Sequence, residues 1–159
     1  MRIGKFDFAS LVLFISIFGV LGCSSEEVYA PFPMKDLSKG WSYSDSLVFS
    51  GMKREDAKEN QKLKLRISVS DTFEFENIYL KANLSGVQDA DNSKVFSIQL
   101  ADKFGNWMGK CNGSTCTIDY ELEEVISLSY QEEIEISISQ WTRDSILKGI
   151  SELQLVWSD

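Results

Sequence analysis

Apolar side chains recur at every second position over most of this chain, and that spacing constrains the fold more than any other feature. Leu63, Leu65, Ile67 and Val69 alternate with Lys64, Arg66 and Ser68, and Ile78, Leu80, Ala82 and Leu84 alternate with Tyr79, Lys81 and Asn83. The same period returns in Phe96, Ile98 and Leu100, in Cys116, Ile118, Tyr120 and Leu122, and in Ile134, Ile136 and Ile138. Leu153, Leu155 and Trp157 supply a last run, and residues 47–49 an early one. Successive side chains of a strand point to opposite faces, so each run has one dry side and one wet side. Strands wet on one side suit antiparallel sheets, whereas parallel strands buried on both sides read as continuous apolar stretches. The pattern therefore predicts an all-β chain, an antiparallel, jelly-roll-like β-sandwich. Asp102, Lys103, Phe104 and Gly105 are expected to make a tight turn in which the glycine takes positive φ.

Two stretches break the alternation. Residues 53–62 are charged and nearly without apolar side chains, which reads as an exposed loop, with a short solvated helix as the alternative. Residues 142–149 read as a short helical turn before the last strand, with Thr142 as N-cap, Ile146 and Leu147 turned inward and Gly149 as the stop.

The start of the chain has a different character. Arg2 and Lys5 precede an uncharged run over residues 8–22 that is shorter than the roughly 20 residues a membrane span needs. The run closes in Val20-Leu21-Gly22-Cys23, and small polar and acidic residues follow at once. This arrangement resembles a bacterial lipoprotein signal that is cleaved before a cysteine whose thiol is then acylated. Cys23 is the lipid attachment site on this reading. Each buried methylene contributes about 0.8 kcal/mol, so two or three acyl chains hold a protein on a membrane without help from the rest of the chain. Residues 24–40 contain both prolines, Pro31 and Pro33, and have no clear period. The expected organisation is a signal peptide over 1–22, a lipidated tether over 23–40 and one β-sandwich domain over 41–159.

Charge and composition exclude much chemistry. The formal net charge is −8, and losing Arg2, Lys5 and Asp7 with the signal makes it one unit more negative, so nucleic acid and anionic lipid surfaces are repelled. The 159 residues include no histidine, which removes every site that uses imidazole as base, nucleophile or ligand. No Gly-x-Ser-x-Gly elbow, Walker loop or dinucleotide glycine fingerprint is present. Cys111 and Cys116 flank Asn112-Gly113-Ser114-Thr115, a strong hairpin signal, in a chain addressed to an oxidising compartment. They read as a disulfide stapling a hairpin, with free thiols the alternative; a two-cysteine metal site would need further ligands. Closing so short a loop contributes only about 2 kcal/mol. Asp89, Asp91 and Asn92 resemble a fragment of a calcium loop but lack its glycine and distal glutamate, so a polar loop is the better reading. Trp41, Trp107, Trp141 and Trp157 could form a sugar-stacking platform, though large aromatics in a small sandwich more often fill its core. No metal, cofactor or small-molecule substrate is expected.

Four segments, read together, resemble the GldH gliding-motility lipoproteins of Bacteroidota. They are residues 41–49 (WSYSDSLVF), residues 65–80 with Arg66 and the run Glu76-Asn77-Ile78-Tyr79-Leu80, residues 100–109 (LADKFGNWMG), and residues 138–157 (ISQWTRDSILKGISELQLVW). The last two are the most specific, with Gly-x-Trp-x-Gly in one and Gln140, Arg143, Leu147 and Gly149 in the other. Lys110-Cys111 departs from the family's glycine-rich continuation, and Thr142 stands where a methionine usually precedes the arginine. The resemblance implies a non-enzymatic accessory lipoprotein of the cell envelope, tied to gliding motility and the type IX secretion machinery. It implies partners among the envelope proteins of that machinery and no catalytic residue. Gln140 and Arg143 either brace the turn they flank or contact a partner. Ser24 rather than Asp follows Cys23, which points to the outer membrane. A surface lipoprotein binding glycan through the sandwich is the competing reading.

Mass spectrometry of the membrane-extracted protein is expected to show an acylated N-terminal Cys23, and Cys23→Ala should move the protein into the soluble fraction. Full retention of that variant on membranes would exclude the anchor.

Overall fold

The computed structural model describes residues 34–52, 62–85, 93–122 and 134–158. Among them, one five-stranded sheet runs in the order β1 (Lys35–Asp36), β11 (Ile150–Ser158), β4 (Lys62–Ser70), β8 (Thr115–Glu121), β7 (Lys110–Asn112). A four-stranded sheet runs β3 (Ser46–Met52), β9 (Ile134–Gln140), β5 (Asn77–Ser85), β6 (Ser93–Gln99). A short ribbon pairs β2 (Trp41–Ser42) with β10 (Ile146–Leu147). All pairings are antiparallel. The strands are nested: β1 pairs β11, β2 pairs β10, β3 pairs β9, β4 pairs β8 and β5 pairs β6, first with last and inward to the middle. That nesting is a jelly roll, as the alternation predicts.

Register explains why the alternation works. Ile67 lies opposite Ile118 on one side and Leu153 on the other, and Leu65 lies between Tyr120 and Leu155. In the second sheet Ala82 faces Ile138, Leu84 faces Ile136 and Leu80 faces Phe96. Inward rows therefore meet inward rows, and Leu63, Leu65, Ile67, Val69, Leu80, Ala82, Leu155 and Trp157 are wholly buried between the sheets. Aromatic contacts bridge the two sheets near both edges. Phe96 of β6 stacks on Tyr120 of β8 at 5.3 Å, and the Lys35 ammonium of β1 lies 5.4 Å over the Phe49 ring of β3.

Two bulges keep the pattern in phase. An extra residue at Ser151 lets both Ile150 and Leu153 face inward although three positions separate them. A second irregularity in β3 falls between Phe49 and Met52, where Gly51 takes a φ of 81°. The turn at residues 102–105 forms as expected: the Gly105 N–H donates to the Asp102 carbonyl at 2.9 Å, and the glycine has a φ of 81°. The Asp102 carboxylate accepts from the Asn106 amide, the Asn106 N–H and the Phe104 N–H, which holds its pKa below the ordinary carboxylate value. Cys111 and Cys116 are joined by a disulfide across the β7–β8 hairpin, with Cα atoms 4.0 Å apart. Its two-residue turn is Gly113-Ser114, with Gly113 at a φ of 60° in the first central position, rather than Asn112-Gly113.

Two expectations need correction. The folded domain begins before Trp41, because β1 pairs with β11, Leu37 is buried, and the Leu37 N–H donates to the Ser151 carbonyl at 2.8 Å. Residues 35–40 therefore belong to the sandwich and not to a tether. Residues 142–149 hold no helix; they form a bend, then β10, then a turn at Gly149 with a φ of 88°. A helix would offer the carbonyls of Asp144 and Ser145 to the N–H groups four residues on. Here the first accepts from the Gln140 side chain and the second from the Tyr43 N–H at 2.8 Å. Leu147 does turn inward, but Ile146 is exposed. Of the stretch expected as an exposed loop over 53–62, Lys62 opens β4 and residues 53–61 lie outside the described residues, as do Cys23 and the Asp89, Asp91 and Asn92 cluster.

Candidate functional site

Among the described residues, the two singled out near the C-terminus divide into one brace and one cation without a partner. Gln140 ends β9 wholly buried, and its amide is saturated. Nε2 donates to the Asp144 carbonyl at 2.9 Å and to the Trp41 carbonyl at 3.3 Å. Oε1 accepts from the Thr142 N–H at 3.2 Å and from the Thr142 hydroxyl. Thr142 Oγ1 in turn accepts from the Asp144 N–H at 3.3 Å, so the threonine caps a bend as it would have capped a helix. The indole of buried Trp41 donates to the Asp45 carbonyl at 3.1 Å. One amide thus ties the end of β9 to β2 and the bend after it. Arg143 sits on that bend, exposed, with no hydrogen bond or ion pair among the described residues.

Beside the bend, an open cleft of about 470 Å³ runs between residues 70–75 and residues 144–149. Its apolar lining is Phe73, Phe75 and Ile146, and its polar lining includes Glu74, Asp144 and Lys148. Phe73 and Phe75 meet edge to face at 5.5 Å, and Phe73 packs so closely on Gly149 that a Cβ there would lie 2.8 Å from its ring. Phe75 and Ile146 are exposed. The period-two run Phe73-Glu74-Phe75-Glu76 has the signature of a strand, so sequence reasoning missed these side chains as surface. Asp144 and Glu74 are themselves exposed, and among the described residues no group of three Asp, Glu, Cys or His side chains could hold a metal ion.

The tryptophans do not share one role. Trp41 and Trp157 are buried, Trp107 packs against the core, and Trp141 is exposed beside Tyr43 at 5.9 Å with the Lys81 ammonium 5.0 Å over its ring. No pair of exposed tryptophans exists among the described residues. The outer face of the five-stranded sheet carries ion pairs instead. Arg66 grips Asp119 through two nitrogens at 2.6 and 2.7 Å, and Lys62 lies 2.8 Å from Glu121, holding that carboxyl below its usual range. Among the described residues, no helix is long and apolar enough to cross a membrane.

The described residues form a jelly-roll sandwich whose clefts beside residues 70–75 and beside Arg66 are open. The family model described as GldH lipoprotein matches residues 32–155. The chain belongs to that family of lipoproteins, and the match begins close to β1, ahead of the alternation. No curated protein matches the chain. Among solved structures, a carbohydrate-binding module from the family 9 glycoside hydrolase Cel9A of Ruminococcus flavefaciens FD-1 is similar at a TM-score of 0.35 and 12% identity. That likeness covers 86% of this chain and 99% of the module, and it is too loose to bear on what this chain binds.

Gln140→Ala should cost about 3 kcal/mol, because it leaves the Trp41 and Asp144 carbonyls and the Thr142 N–H without their partner. Arg143→Ala should stay within about 0.5 kcal/mol. Urea denaturation of both variants checks this; equal losses would mean that Arg143 also braces the bend.

Proposed function

We propose that this chain is a lipid-anchored, non-enzymatic component of the cell envelope that serves gliding motility and the associated type IX secretion machinery by docking a partner protein. The observation that carries the reading is local. One end of the sandwich gathers exposed Phe75 and Ile146 around an open cleft, and Arg143, without a partner among the described residues, stands one residue before Asp144, which lines it. Aromatic side chains and arginine are the residues that anchor protein interfaces. The charged outer face of the five-stranded sheet, by contrast, is already satisfied by its own ion pairs. Membership of the GldH lipoprotein family supports the link to motility and the acylated Cys23 as the anchor. Ser24 after that cysteine supports the outer membrane as its address. The absence of histidine and of any nucleophile motif supports a role without catalysis.

A strain lacking the gene, or one retaining the acylated Cys23 tether without the domain, should lose gliding and the export of surface adhesins. Phe75→Ala and Arg143→Ala should each impair spreading while the melting temperature moves little, since both side chains are exposed. Normal spreading and secretion by the deletion strain would defeat this reading whatever the fold.

A further inference from the structure

The outer faces of the two sheets differ in charge. On the five-stranded sheet, β4 sets Lys64 opposite Glu121 and Arg66 opposite Asp119, with hydroxyl pairs such as Ser68 and Thr117 beyond them. On the four-stranded sheet, the outward positions of β3, β5, β6 and β9 carry serine, asparagine and glutamine with Val48 and Val95, and Lys81 and Glu135 are the charged residues among them. The polar groups there form a hydroxyl and amide lattice. Asn77 Nδ2 donates to Ser97 Oγ at 2.9 Å, Ser139 Oγ to Ser46 Oγ at 3.1 Å, and Asn83 Nδ2 to Ser137 Oγ at 3.4 Å.

At one end of this lattice stand three exposed aromatics. Tyr43, Tyr79 and Trp141 are 47%, 50% and 44% exposed. The Trp141 N–H donates to the Tyr79 carbonyl at 2.8 Å, and the Tyr43 ring lies 5.9 Å from the indole at a tilt of 32°. Single exposed aromatics are ordinary on a protein surface, but three together at the end of a sheet face of hydroxyls and amides are not. In a chain of net charge −8, a face with so little charge selects for a ligand that has none.

We infer that this face binds an uncharged saccharide chain. Apolar C–H surfaces of sugar rings suit the aromatic end, and sugar hydroxyls suit groups that both donate and accept, as serine and the carboxamides do. Along β5 from Tyr79 to Ser85 the face runs for about 20 Å at 3.4 Å per residue, the reach of an oligosaccharide rather than of one sugar. The Lys81 ammonium on Trp141 steadies the indole and is carried on a flexible stem that an incoming ring displaces. The inference goes beyond protein docking at the cleft and depends on none of it.

The test is affinity electrophoresis of the detergent-extracted full chain in native gels containing hydroxyethyl cellulose, xyloglucan, galactomannan, xylan or dextran, with dextran sulfate as the anionic comparison. At least one neutral gel should retard the protein. Trp141→Ala and Tyr79→Ala should weaken that retardation by about tenfold or more, while Lys81→Ala leaves it unchanged or strengthens it. Circular dichroism melts identify any variant that fails to fold, and Tyr43→Ala then takes its place. No retardation in any neutral gel would overturn the inference. So would binding confined to dextran sulfate and lost with Lys81→Ala, which would make the face a site for an acidic protein segment.

Discussion

The dry seam between the two sheets is the constraint on which the rest of the molecule depends. Its rows of wholly buried leucines, isoleucines and valines come from strands far apart in sequence, and each such side chain contributes about 1.5–3 kcal/mol on leaving water. The seam can close only if the chain nests its strands, first against last. That requirement pulls β1 into the domain, places β3 and β6 at the edges of the second sheet, and sends the inward face of every long strand into one core. What the domain does is then left to its surfaces and to the segments that close the sandwich.

Gln140 is where the seam meets those surfaces. Its side chain is as buried as any leucine, and its burial is tolerable because all its hydrogen-bonding capacity is used. The amide stops the last residues of β9 from continuing into solvent and turns the chain so that Trp141 and Arg143 face outward while Leu147 returns to the core. A structural brace and an exposed cation thus sit three residues apart for a physical reason. The bend that the first enforces is what presents the second.

Much of this was legible in the residues. Alternation located the long strands and their buried faces, since a period of two is a local property that register then multiplies. The turn at Asp102 was legible because its signal, an aspartate followed by a glycine free to take positive φ, is local too. The helix expected at 142–149 failed because most of its competitors are distant: Leu147 pairs with Trp41 and the Ser145 carbonyl accepts from Tyr43, some hundred residues away. A strand of two residues has no period to read, so β1 was invisible despite buried Leu37. Of the tryptophans, only Trp157 lay in an alternating run that placed it inside. The proposed lipid attachment at Cys23 lies outside the described residues and rests on the residue pattern together with the family.

Two exposed surfaces carry the proposed contacts, an apolar cleft beside Arg143 and a hydroxyl-rich sheet face beside Trp141. On the proposed reading, the working contact with the envelope machinery is made at the cleft end of the sandwich, beside Ser70, and not at the opposite end, where β4 begins at Lys62. Photocrosslinking in living cells tests it most directly, with a photoreactive residue in place of Phe75 in one strain and of Lys62 in another. Both positions are exposed, so access is comparable. A discrete protein adduct from position 75 and none from position 62 is the predicted result. Adducts from position 62 alone, or from neither position, would contradict the account.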